Sequence, residues 1–516
     1  MEFSQGSVLS VSLFLIAIND ILDNILIPVK ELLFADDLTL LCKGRNLHTI
    51  QIQLQEALDK LQKWSLTSGF KFSFTKSKII TFSRKKQHAN INLTLDNLII
   101  KETSSIKLLG LTFDSQLAWT PHINKLKTDS YQRLNILRTI AANDWGADLK
   151  TLLLTYKAIV RSKLDYGSII YNSANTNILK KLDPVHNNAL RLTVGAFRSS
   201  PINGILSEAS ELPLRIRRKY LSIQFAIRIA SHPQNPVFHN VFRNNNLNHL
   251  QQRKRTPHPL CYRINNYPKE LGMEIQLISS RSIPSIPPWT FPRISTNTSL
   301  LNYSQKKSDP IMLKAMFQEL EAGLANHVHI YTDGSKTPIG SGYAIVRNQS
   351  IEKVKLRQKT PIFLCELQAI KHAVKSTLND QNTNFAIFCD STSVFSAIQK
   401  LWTSDPVIQE CQEAYTRSSQ KNNSITIIWI PSHIDITGNE KADRAAKEAG
   451  NSTTPNYLDN STHLETLLST LKEKIKDFWN KEWTALTKPR IKLIKNDFYE
   501  KSITWKLPRP DQVIVS

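Results

Sequence analysis

Four carboxylates stand at points where the residue pattern places strand ends and helix faces. Asp333 closes the alternating run VHIYTD and precedes Gly334, which allows a tight turn. Glu366 lies on a helix opened by Pro361, Asp390 ends the apolar run FAIFCD, and Asp443 lies on a helix after Gly438-Asn439. Strand ends in an open α/β sheet gather along one edge, where ligands bind. Clustered carboxylates repel one another and bury badly unless a cation sits among them. Oxygen-only donors suit Mg²⁺ or Mn²⁺, and two such ions can clamp the oxygens of an in-line phosphoryl displacement. Taken singly, each acid has an ordinary explanation: Asp333 as a turn residue, Glu366 and Asp443 as solvated helix acids, Asp390 as a helix N-cap. The set of four points to the cation.

The elements that must position these acids are legible in order. VHIYTD, GSGYAIV and IEKVKLRQ read as three strands that hairpins can link. A helix from Pro361 repeats apolar residues at Phe363, Leu364, Leu367, Ile370, Val374 and Leu378. FAIFCD (385–390) and ITIIWI (425–430) are continuous apolar strands of the kind buried in a sheet centre. Helices follow at about 392–402, 406–418 and 439–448. The result is a mixed α/β sheet whose later strands need right-handed crossovers.

A second acidic pair, Asp36-Asp37, lies between the apolar runs LLFA and LTLL. Strands are depleted in Asp, so a β-hairpin turn or a metal site explains the pair. The first 118 residues read as mixed α/β, with helices near 8–22 and 48–67. Residues 121–230 are helical in pattern, with Ile123, Leu126, Leu134 and Leu137 on one face. RSIPSIPPWTFPR (281–293) reads as an extended connector, because its four prolines forbid a helix. Short helices are expected at 310–322 and 463–486.

The chain of 516 residues has an ordinary globular composition, 41% hydrophobic and 21% charged, and its length suggests several domains. Its net charge of +23 suits a polyanion. Residues 325–450 carry 14 basic and 12 acidic side chains, so most of the excess lies upstream, in residues 1–324. The five Cys form no CxxC pair, which argues against a disulfide scaffold or a Cys-rich zinc site. A reducing intracellular setting, nucleus or cytoplasm, follows. The apolar run Val8–Ile18 lacks a basic flank and is too short to span a bilayer, so no membrane association is expected.

In TDGSK, GSGYA, CELQAI, CDSTS and WIPSHIDITGNEKADRAAKEA, the chain resembles the type 1 ribonuclease H domain. The resemblance implies a five-stranded mixed sheet flanked by helices and hydrolysis of the RNA strand of RNA–DNA hybrids with two divalent ions, Mg²⁺ or Mn²⁺. It implies that Asp333, Glu366, Asp390 and Asp443 are the metal ligands and that His433 assists proton or product handling. Gly342 and Ser391 fit motif positions beside the site. Where Asp435 stands, the family usually has a small residue, often Gly.

Residues 1–118 resemble the palm of a non-LTR retrotransposon reverse transcriptase, most similar to the jockey type. The resemblance rests on Gln5-Gly6, Ala35-Asp36-Asp37, the LQKWSLTSGFKFSFTKSKIITFS segment and the IKLLGLTFDSQLAWTPHI segment. It implies that Asp36 and Asp37 bind catalytic Mg²⁺, that Gln5 and Gly6 line the template pocket, and that Lys78 matches a motif lysine. Val11 stands where the family has Pro. The family's fingers and third polymerase aspartate lie upstream of the Gln-Gly motif, so the resemblance implies a 5′-truncated element product.

The expected organisation is a partial palm at 1–118, a basic helical thumb and connection at 119–280, a Pro-rich linker at 281–324, a ribonuclease H domain at 325–450 and an extension at 451–516. The expected activity is hydrolysis of RNA in hybrids. The alternatives are an RNA-directed DNA polymerase when complete, or a decayed nucleic-acid-binding remnant. Oligomeric state is not legible.

Overall fold

The computed structural model describes residues 7–511 except 24, 26, 84–90, 143–144, 243–257, 274, 276–277, 284–286, 288–289, 291–292, 305–308, 453–461, 487–496, 500–504, 506–508 and 510. Gln5 and Gly6 lie outside the described residues, as does much of the Pro-rich stretch 281–293. The chain resolves into two compact units. The first comprises residues 1–140, 155–167 and 171–189; the second comprises 141–154, 168–170 and 190–516. The boundary expected near residue 119 therefore falls inside the first unit, and the one near 281 inside the second. Among the described residues, no helix is long and apolar enough to cross a membrane.

In the first unit, the helix Val8–Ile18 and the 22-residue helix Leu47–Ser68 pack around Ile18, Ile21, Leu61 and Trp64. Asn46 caps the second helix, accepting from the His48 amide, and Gly69 ends it at a φ of 79°. Strands Lys30–Phe34 and Asp37–Leu41 form the expected hairpin, with Phe34 opposite Asp37. A second hairpin, Ser105–Leu108 with Leu111–Asp114, precedes the helix Thr120–Ile140, whose Ile123, Leu126, Leu134 and Leu137 are buried as their spacing requires.

The second unit holds a six-stranded mixed sheet. Its strands are β1 (Ser295–Asn297), β2 (Val328–Lys336), β3 (Ser341–Arg347), β4 (Ser350–Leu356), β5 (Asn384–Cys389) and β6 (Ser424–Trp429). They run in the order β4-β3-β2-β5-β6-β1. Strands β2, β3 and β4 form antiparallel hairpins, while β5, β6 and β1 join in parallel. Among the helices of this unit are α1 (Pro310–Ala322), α2 (Ile362–Ser376), α3 (Thr392–Ile398), α4 (Pro406–Ser419), α5 (Thr437–Asn451) and α6 (Leu464–Leu486). β5 and β6 are buried along almost their whole length, in keeping with their unbroken apolar runs.

Two expectations are corrected here. The segment 281–324 is not simply a linker. Residues 295–297 add a sixth strand to the expected five, and Ile294, Leu300, Leu313 and Phe317 join the sheet's core. Backbone pairing along β6 explains a strand made of Ser, Thr and Asn. Nor do residues 464–486 stand apart from the rest of the second unit. α6 packs on the helix Leu214–Ala230 and buries Trp479 and Trp483, with the Trp483 indole donating to the Asn203 carbonyl at 3.0 Å. Arg281 ties the same segments together, pairing with Asp405 at 3.1 Å and with Glu465.

Candidate active site

Asp333 lies within β2, the strand between β3 and β5. The parallel register sets Tyr331 opposite Phe388, so two residues further on Asp333 and Asp390 reach the same level, Asp390 just past the end of β5. β2 does not end at Asp333 as its pattern suggested; it continues through Gly334, paired with β3, as far as Lys336. Gly334 is therefore not a turn residue. A Cβ there would stand 2.4 Å from the Glu366 nitrogen, so only Gly lets the backbone of α2 lie against β2. That contact sets Glu366 beside Asp333.

The fourth acid comes from α5. This helix turns Ala442, Ala445, Ala446, Ala449 and Gly450 toward the sheet. Gly342 on β3 receives it, since a Cβ there would lie 2.6 Å from the Gly450 nitrogen. Small residues on both sides bring the helix close enough for Asp443 to reach the edge of the cluster. Asp443 is partly exposed and accepts from Lys447, one turn on, at 2.6 Å.

Burial separates the acids. Asp333 and Glu366 are only 6% and 7% exposed. Asp333 Oδ2 and Glu366 Oε2 have no hydrogen-bond partner. Burial, reinforced by Asp390 and Asp443, pushes the Asp333 carboxyl up to about 8, against a pull from Lys447 and the Gly334 amide. Burial and the nearby Asp333 and Asp390 push Glu366 up to about 9. Asp390 is also raised, mainly by burial, although the Asn439 side chain and His433 favour its charged form. Such a cluster is poorly stable as four free anions and suited to a divalent cation. A cation held there would satisfy the orphaned oxygens on Asp333 and Glu366.

The remaining residues frame the cluster. The Trp429 indole donates to the Asp390 carbonyl at 3.0 Å and pins the end of β5. His433 and Asp435 lie in the exposed loop between β6 and α5, both with positive φ, near 57°. That left-handed backbone is one that Gly adopts without strain. Asp435 is 90% exposed and lies 3.8 Å from Lys314. Ser391 begins α3 as its N-cap. Sequence reasoning missed Asn439 and Lys447, although Asn439, Asp443 and Lys447 recur at four-residue spacing on one helix face. It also missed Cys389, which with Glu366 and Asp390 offers donor atoms all within 4.8 Å of one another.

The polymerase-like residues fall elsewhere. Asp36 and Asp37 are exposed, Asp36 in the two-residue turn of the hairpin, where Ala35 takes a φ of 52°, and Asp37 at the start of the next strand. Lys78 lies on a short strand, Lys78–Ile79, paired with Lys101–Glu102.

Comparison with known proteins matches both regions. Residues 325–451 fit the RNase H family model, and residues 2–113 fit that of the reverse transcriptase (RNA-dependent DNA polymerase) family. The RNA-directed DNA polymerase from mobile element jockey of Drosophila melanogaster is 26% identical over 200 residues, 37% of this chain and 22% of that protein. The probable RNA-directed DNA polymerase from transposon BS of the same species is 27% identical over 167 residues, 32% of this chain and 18% of that protein. The Pol polyprotein from type-1 retrotransposable element R1 4 of Nasonia vitripennis is 23% identical over 145 residues, 28% of this chain and 37% of that protein. The chain thus spans about a fifth of the length of its jockey and BS relatives. It carries a reverse-transcriptase segment followed by a ribonuclease H domain, and is a homologue of the RNA-directed DNA polymerases of jockey and other non-LTR retrotransposons.

Proposed function

We propose that the ribonuclease H domain hydrolyses the RNA strand of RNA–DNA hybrids and needs divalent ions to do so. The observation that carries this reading is the pair of buried, unpartnered oxygens, Asp333 Oδ2 and Glu366 Oε2, beside Asp390 and Asp443. In the proposal these four acids hold Mg²⁺ or Mn²⁺. Such ions stabilise charge on the attacking and leaving oxygens of an in-line displacement. Asp333, on the sheet's inner strand and flanked by Glu366 and Asp390, is suited to share its carboxylate between two ions. Lys447 donates to Asp443, and that bond raises the Lys447 ammonium above its ordinary value. In the proposal His433, exposed and close enough to favour the charged form of Asp390, assists proton or product handling. Binding to the hybrid is to its backbone and falls with salt, and hybrid shape and 2′-hydroxyls guide it. The excess of basic residues in 1–324 supplies most of that grip.

The deciding experiment incubates the purified chain with a labelled hybrid and Mg²⁺ or Mn²⁺. Cleavage of the RNA strand is expected, and none with chelator. Asp333→Asn removes a central charge and is expected to cost about three orders of magnitude in rate. Near-normal cleavage by that variant would refute the assignment. For residues 2–113 a second reading stands on two exposed acids, Asp36 in the hairpin turn and Asp37 at the start of the next strand. Within a complete polymerase, they would supply two of the carboxylates for nucleotidyl transfer.

A further inference from the structure

We infer that Cys389, Glu366 and Asp390 form a cation site for a soft divalent ion, of the class of Zn²⁺, Cd²⁺ or Co²⁺, overlapping the hard-ion site. The inference rests on the proposed reading of Glu366 and Asp390 as cation ligands. Cys389 is the last residue of β5 and directly precedes Asp390. One donor atom from each of the three residues lies within 4.8 Å of the others. A tetrahedral zinc-like ion, at about 2.0–2.3 Å from its donors, sets them roughly 3.5 Å apart. Rotation of the carboxylates through about an ångström closes the set.

Two further observations favour this site. Glu366 Oε2 is buried and has no partner, so a ligand bond from it displaces nothing. The Cys389 sulphur is already treated as an acceptor: the Ser391 amide donates to it at 3.3 Å. Cys365 and Cys411 are equally buried, but neither joins a comparable donor group among the described residues. Oxygen donors alone suit hard ions, whereas a thiolate donor favours soft ones. On binding, the S–H bond is replaced by an S–metal bond, and the proton leaves to solvent. An ion held there occupies two carboxylates that the Mg²⁺ set requires, so it acts as an inhibitor of cleavage.

The test titrates the full chain, stripped with chelator and free of nucleic acid, with Co²⁺ while following near-ultraviolet absorption. A thiolate-to-cobalt charge-transfer band is expected, saturating with one ion. It should persist in Cys365→Ser, vanish in Cys389→Ser and Cys389→Ala, and need at least tenfold more Co²⁺ in Glu366→Gln. Melting curves identify any variant that fails to fold, and two substitutions at Cys389 guard against that outcome. In hybrid cleavage with excess Mg²⁺, half-inhibition of Cys389→Ser should require at least tenfold more Zn²⁺ than that of the parent. Absence of the band in the parent, or its survival in both Cys389 variants, overturns the site. A band without Mg²⁺-dependent cleavage supports the site and overturns the nuclease reading. Cleavage without a band overturns the site alone.

Discussion

Gly334 and Glu366 touch backbone to backbone. The space a Cβ would need at Gly334 is taken by the Glu366 nitrogen, 2.4 Å away, and by the Cys365 carbonyl carbon, 2.7 Å away. This contact fixes how far Glu366 stands from Asp333. Gly334→Ala must push α2 off β2. The overpacking costs about 1–3 kcal/mol, and a shift of about 1 Å at the site costs about a hundredfold in rate. Melting and cleavage measured together check this. A variant with a lowered melting temperature and full activity would show that Glu366 tolerates displacement.

The raised carboxyls of Asp333 and Glu366 predict how the metal-free protein responds to pH. Both groups have folded pKa values, about 8 and about 9, above the ordinary carboxyl range. They hold protons in the folded state that the unfolded chain has lost. Their contribution to stability is fully present below the unfolded pKa, near 4, and is lost as pH rises through 8 to 9. In chelator, the melting temperature should therefore fall between pH 5 and 9, and Asp333→Asn should flatten that fall. Added Mg²⁺ should raise the melting temperature more at pH 8 than at pH 6. Parallel pH profiles for parent and variant would contradict the argument.

Asp435 combines a left-handed backbone with an exposed charge near the site. Asp435→Gly relieves the backbone and should gain up to about 1 kcal/mol. It also removes a negative charge from the loop that carries His433, so cleavage should rise a few-fold at low salt and less at high salt. The Lys314 pair at 3.8 Å is exposed and contributes little, so Lys314→Ala should leave the melting temperature nearly unchanged. Reduced cleavage in Asp435→Gly would make the aspartate a working ligand instead.

The sixth strand predicts which fragment stands alone. A piece covering 278–451 keeps Ile294 and Leu300 in the core and Arg281 against Asp405. A piece covering 310–451 loses all of these. Each lost apolar side chain costs about 2 kcal/mol or more, so the shorter piece should melt at least roughly 5 °C lower. Calorimetry on the two fragments decides it. The longer fragment should also bind hybrid with a shallower salt dependence than the whole chain. Equal slopes would mean that residues 1–277 leave the nucleic acid untouched.

Much of this domain was legible because its signals are local. An unbroken apolar run such as FAIFCD means a buried strand wherever it is met, and a helix starting at Pro361 announces itself by its period. The four acids were legible because Asp390 follows such a strand, while Asp333, Glu366 and Asp443 lie within elements that the pattern announces. What escaped depends on partners distant in sequence. Ser295–Asn297 has no strand signature of its own and pairs because β6 leaves an open edge. The Trp479 and Trp483 pattern says that α6 has an apolar face, not that it covers the helix Leu214–Ala230. Gly334 read as a turn because glycine after a strand usually is one; its packing against Glu366 needed the third dimension.

The level alignment of Asp333 with Asp390 on neighbouring parallel strands divides the domain by its tolerance for change in length. A one-residue insertion in β2 or β5 would turn one of the two acids to the opposite face of the sheet. The crossover from Ser391 to Asn423 is constrained differently: α3 and α4 must keep Val394, Ile398, Val407 and Cys411 in the core, but the link between the two helices sets no strand register. New segments can be grafted into that link while the paired acids stay in place.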